Sequence, residues 1–148
     1  MARNKPLASP PVSPDALEHE LYSALQRGDI DRLMAVWSDD EEICCVHPGG
    51  PRLVGAAAIR MAFTAMFSHG PIAVEPHRVR RLQTHVSAVH SVLERVRVKG
   101  PDGEEFAWVV ATNVYLKSAQ GWRLVAHHAS PGSPSEQQEM DDAGATRH

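Results

Sequence analysis

Apolar and polar positions change their period along the chain, and the changes divide it into elements. From Ser13 the spacing is helical, with Leu17, Leu21, Ala24 and Leu25 on one stripe. Ser13-Pro14-Asp15 gives that helix an oxygen-bearing cap, a proline where its missing N–H costs nothing, and an acidic first turn. Gly28 ends it, and Asp29 can cap a second helix in which Ile30, Leu33, Met34 and Trp37 recur at helical spacing. After the acidic run Ser38 to Glu42, Ile43-Cys44-Cys45-Val46-His47 reads as a short strand stopped by Pro48-Gly49-Gly50-Pro51. Arg52-Leu53-Val54 can pair back on it, and Ala56 to Phe67 is a third helix with Ile59, Phe63, Met66 and Phe67 along one side. Four strands follow, at Ile72 to Leu82, Val86 to Lys99, Glu105 to Lys117 and Trp122 to Ser130, and the short turns between them imply an antiparallel meander. Helices segregated from long strands make an α+β domain.

The strands do not alternate cleanly between apolar and polar. One parity of the third long strand reads Phe106, Trp108, Val110, Thr112, Val114, Leu116, and the other reads Ala107, Val109, Ala111, Asn113, Tyr115. Both faces are therefore expected to be covered. Three short helices cover one face only, so the other is expected to meet the sheet of a second copy in a homodimer. The small-residue parity suits a pocket, because Ala and Val leave volume that larger side chains would fill, and Asn113 becomes its polar group. Trp108 and Trp122 are assigned to the bulkier parity, packing between subunits or sheets.

Composition narrows the partners. At 148 residues with 43% hydrophobic and 22% charged positions the chain fits one globular domain with a single core. A formal charge of -3 leaves no basic footprint for nucleic acid. The first residues contain no apolar run long enough for a signal peptide or membrane anchor, and the two adjacent cysteines, Cys44 and Cys45, suit reduced thiols, so a cytoplasmic setting is expected. Pro-rich residues 1–12 and the polar stretch 132–148 are expected to be disordered tails around a domain at 13–131.

Three stretches carry a resemblance: Gly28-Asp29-Ile30-Asp31 with Trp37; Val46-His47-Pro48-Gly49-Gly50 with Leu53-Val54-Gly55 and Ile59-Arg60; and Ala111-Thr112-Asn113-Val114-Tyr115 with Gly121-Trp122-Arg123 and His127-His128-Ala129-Ser130. Together they resemble a SnoaL-like domain of the nuclear transport factor 2-like superfamily, and are similar also to the association domain of calcium/calmodulin-dependent kinases. That resemblance implies a cone-shaped, cystatin-like α+β fold: a curved antiparallel sheet, three helices on its concave face, a pocket between them, and a homodimer. It implies activity much less firmly. Isomerases and cyclases of this kind use a pocket carboxylate as base. The long strands here offer Glu75, Glu94 and Glu105, near strand ends or among arginines, and this reading counts them against such a base.

Nine histidines are many for this length, and histidine exchanges protons near neutral pH. His47 closes the first strand at the expected pocket rim, while His127 and His128 close the last, where alternation turns one of the two inward. His47 and His128 are the candidate acid–base pair, with Trp37, Ile59, Phe63, Phe67, Asn113 and His127 as candidate ligand contacts. Set against this, strand-end histidines commonly serve as hydrogen-bonded structural residues, and His90, mid-strand among Val86, Ala88 and Val92, reads as structural. No zinc or phosphate-loop spacing occurs, so neither a metal nor another cofactor is expected. The leading expectation is a pocket for a small hydrophobic molecule. Its alternatives are an isomerase, cyclase or dehydratase using histidine on a hydroxy or keto compound, and a dimerisation module.

Overall fold

The computed structural model describes residues 11–133 and 135. The elements are α1 (Pro14–Arg27), α2 (Ile30–Val36), β1 (Cys44–Val46), β2 (Arg52–Val54), α3 (Ala56–Phe67), β3 (Val74–Gln83), β4 (Ser87–Gly100), β5 (Gly103–Ser118) and β6 (Gly121–Pro131). The tails expected at 1–12 and 132–148 lie mostly outside the described residues.

The caps read from the sequence form as expected. The Ser13 side chain accepts from the Ala16 N–H at 3.0 Å and the Asp29 side chain accepts from the Arg32 N–H, so each satisfies a donor that its helix leaves open. Gly28 closes α1 at φ 63°, where a side chain would be strained and its Cβ would meet Pro71. The second helix is shorter than its apolar spacing suggests. It stops at Val36, and Trp37 turns extended to bridge Leu124, which moves the indole from a helix face to the margin of the sheet.

The six strands form one open sheet in the order β2-β1-β6-β5-β4-β3. The meander β3 to β6 is antiparallel throughout, but β1 runs parallel to β6, pairing Cys45 with His127, so the sheet is mixed rather than wholly antiparallel. The tight turn after β1 places β2 on its outer edge, and β6 takes the remaining edge after a long crossover through α3 and the meander, a connection that permits parallel pairing.

Trp122 does not share the outer face with Trp108, as its parity suggests. The β5–β6 register shifts between Val114 and Tyr115, where β6 carries one extra residue, and this bulge reverses the alternation beyond it. Trp122 and Leu124 are thereby turned under the helices and fully buried, joining a core that includes Leu17, Leu21, Leu33, Val36, Ile59, Val92 and Tyr115. Trp108 stays on the opposite face, edge-on to His77 at 6.1 Å. That opposite face is uncovered in the single chain: Val89, Phe106 and Leu116 are 38%, 48% and 45% exposed.

Candidate functional site

The helix-facing side of the sheet does not close completely on the helices. A cavity of about 240 Å³ remains, walled by Leu21 and Leu25 of α1, Trp37, Phe63 and Met66 with Ile72, and by Val74, Val96, Ala107, Val109 and Ala129 of the sheet. The small side chains of β5 leave this volume, as their parity suggested. Its polar lining comes from His47, Glu94 and His127, and among the described residues no lysine or arginine borders it.

Behind the wall lies a chain of buried hydrogen bonds. Glu18 and Tyr22 sit one helical turn apart on α1 and point at the sheet. The Glu18 carboxylate takes up His90 Nδ1 at 2.8 Å, accepts from the Tyr115 hydroxyl at 2.5 Å and lies 3.4 Å from Asn113 Nδ2. Asn113 Nδ2 also donates to the Tyr22 hydroxyl at 3.1 Å, and that hydroxyl donates to Glu94 Oε2 at 2.7 Å. On its other side Asn113 Oδ1 accepts from His127 Nδ1 at 2.6 Å. Two groups at the cavity wall, Glu94 and His127, are thus tied to a common interior network. Buried polar groups joined in this way hold one geometry, because freeing any member leaves another unsatisfied.

Burial sets the proton affinities. Desolvation pushes the Glu94 carboxyl up to about 7; the Tyr22 hydrogen bond draws it down and the charge of Glu18 pushes it further up. Desolvation brings His127 down to about 4, with His47 and His128 adding repulsion, and burial also lowers His47. Around neutral pH the cavity therefore holds neutral histidine at His127 beside a carboxyl balanced between its two forms. Cys45, 3.8 Å from His47 Nε2, is pushed up to about 12, chiefly by burial, and stays a thiol. One further group is unusual: the Trp37 side chain borders the cavity, while its indole N–H is turned away into the packed interior and has no hydrogen-bond partner among the described residues.

Of the residues singled out from the sequence, Trp37, His47, Phe63 and His127 line the cavity, and His47 stacks edge-on against Phe63 at 4.9 Å. Ile59 is in the core and Phe67 packs behind Phe63. Asn113 lies one layer back. His128 is on the opposite face, exposed and paired across the ladder with Thr112, so alternation separates it from His47. Glu94 reverses the reading of the strand carboxylates. Its arginine neighbours Arg95 and Arg97 point to the other face, while Val92 and Val96, two positions away, share its side. Glu18 and Tyr22 carry a weaker signal, one acidic and one hydroxyl residue beside an apolar stripe at helical spacing, and Tyr115 ends the small-residue parity of β5. Among the described residues Asp15, Glu18 and His90 are close enough to hold a cation, but Glu18 already binds His90 and Asp15 binds Arg81.

Three helices on one face of an open six-stranded sheet, with a cavity between, define an α+β cone. The chain belongs to the SnoaL-like domain family, whose model matches residues 15–134. It is similar to a provisionally named calcium/calmodulin-dependent protein kinase type II association domain from Thiobacillus denitrificans, with 32% identity, 82% of this chain and 97% of that one covered, and a TM-score of 0.74. It is similar also to a provisionally named dehydratase of the NTF2-like family from Streptomyces avermitilis, with 27% identity, 80% and 93% covered, and a TM-score of 0.72. A protein with a cystatin-like fold from Caulobacter vibrioides shares the fold at 19% identity, 84% and 91% covered, and a TM-score of 0.71. Among curated proteins there is no significant match. No described helix is long and apolar enough to cross a membrane.

Proposed function

We propose that this protein binds a small, mostly apolar molecule in the cavity between α1, α3 and the sheet. The observation that carries this reading is an apolar space of about 240 Å³ between the helices and the sheet, with His47, Glu94 and His127 as its polar lining. A well-packed core does not leave such a volume, and a few polar groups on an apolar wall suit the orientation of a bound molecule. The test is to purify the protein from cell extract, denature it and analyse what is released by mass spectrometry. A compact apolar compound in near-stoichiometric amount supports the reading. Release of nothing, together with failure of small aromatic probes to bind, would refute it.

Proton transfer on the bound molecule is favoured by Glu94. A carboxyl at about 7 is matched to acid–base work at neutral pH, and the 27% identical relative is provisionally named a dehydratase. In this reading Glu94 replaces the His47 and His128 pair as proton acceptor, and His47 and His127 orient the molecule. The uncovered sheet face supports a homodimer, since Val89, Phe106 and Leu116 form an apolar surface continuous with half-buried Trp108, Val110 and Val114. Light scattering should give twice the 16.2 kDa chain mass; a value at the monomer mass defeats the dimer.

A further inference from the structure

The hydrogen-bond chain fixes more than position. Each Asn113 amide proton has a destination: Nδ2 faces the Glu18 carboxylate, which accepts only, and the Tyr22 hydroxyl, whose single proton goes to Glu94 when that carboxyl is ionised. Asn113 must then present its oxygen to His127. An amide oxygen accepts only, so the proton of the His127 ring sits on Nδ1, and Nε2 is left as a bare acceptor. The His127 ring borders the cavity and makes one side-chain hydrogen bond among the described residues, the one to Asn113.

We propose that Asn113 is a positioning residue that sets the tautomer of His127, and that the cavity in consequence selects neutral molecules bearing a hydroxyl donor, such as phenols or enols, over the same skeleton without one. This rests on the reading of the cavity as a ligand site. His127 Nε2 accepts from the hydroxyl, and the apolar wall, Trp37 included, encloses the rest. Anions are disfavoured, because among the described residues no lysine or arginine borders the cavity and Glu94 does. A cavity of about 150 Å³ accommodates benzene, so the present volume suits roughly two fused rings.

Two measurements test the proposal. In the wild-type protein, long-range proton–nitrogen NMR of labelled histidine should show His127 protonated at Nδ1 alone from about pH 6 to pH 8; an Nε2–H form overturns the inference. Titrations with 2-naphthol, 2-methoxynaphthalene and 2-naphthoate should show the naphthol binding at least about tenfold more tightly than its methyl ether, and the naphthoate binding weakest at pH 8. Asn113→Leu, confirmed as folded by circular dichroism, should reduce the naphthol preference below about threefold and release the tautomer. If naphthol and ether bind alike to the wild type, the selection is refuted while the ligand site stands. If no probe binds, the ligand site itself fails and the selection with it. Should Asn113→Leu not fold, the wild-type spectra and the three titrations still decide the matter.

Discussion

Two carboxylates at opposite ends of one buried network have different surroundings. Glu18, on α1, receives His90, Tyr115 and Asn113 and is shut away from the cavity. Glu94, on β4, receives Tyr22 alone among the described residues and borders empty space. The first arrangement uses its hydrogen-bonding capacity to hold a helix to a sheet. The second leaves capacity over, and with burial it produces a carboxyl at about 7 that can trade protons with whatever enters. The chemical type is the same; the number of donors and the access to the cavity separate a structural anchor from a reactive group.

The comparison breaks most severely at Glu18. Glu18→Ala removes the common acceptor of three buried groups, and the expected loss of stability is about 3–5 kcal/mol in urea unfolding. A loss below about 1 kcal/mol would mean that the anchor contributes little. At the other end, Glu94→Gln should lower turnover of any substrate found by at least about a hundredfold, with the far-ultraviolet spectrum unchanged. Retained turnover would remove Glu94 from the chemistry.

A smaller effect, with opposite signs at the two cavity groups, appears in stability against pH. The folded Glu94 holds its proton up to about 7 rather than the ordinary 4.5, so its stabilising contribution is complete below about 4.5 and is lost as pH rises through 7. His127 behaves inversely: its folded value near 4 lies below the ordinary 6.5, so its contribution is present above 6.5 and is lost as pH falls towards 4. Glu94→Gln should therefore gain stability relative to wild type between about pH 5 and pH 8, by up to about 3 kcal/mol, in urea midpoints measured across that range. A difference that does not change with pH would show that Glu94 is not desolvated in solution. The smallest effect is local: Gly28→Ala should cost about 1 kcal/mol by straining the end of α1, without moving the pH dependence.

The helices, their caps and most of the long strands were legible because capping residues and apolar period are local signals. Ser13, Asp29 and Gly28 act through neighbours within four positions, and the small parity of β5 announced the cavity. The parallel β1–β6 pairing was not legible, since nothing in Cys44-Cys45-Val46 distinguishes one sheet edge from another. Trp122 lies opposite to the face its parity suggests, because a bulge reverses alternation without leaving a mark in the residue pattern. Arg95 and Arg97 make Glu94 look like part of a solvated charged stretch, but in a strand the neighbours that matter are two positions away. The Glu18 network joins α1 to β4 and β5, so only the folded chain brings its members together.

The parallel pairing of β1 with β6 also bears on the order of assembly. Hairpins β3–β4, β4–β5 and β5–β6 join segments adjacent in sequence, whereas Cys45 and His127 meet across about eighty residues, a closure with a large entropic cost. The meander is thus the natural nucleus, and β1 docks on a sheet that already exists. Because His47 follows directly on β1 and His127 lies on β6, the two histidines are brought together only at that late step, and a partly folded chain with an intact meander still lacks a complete binding chamber.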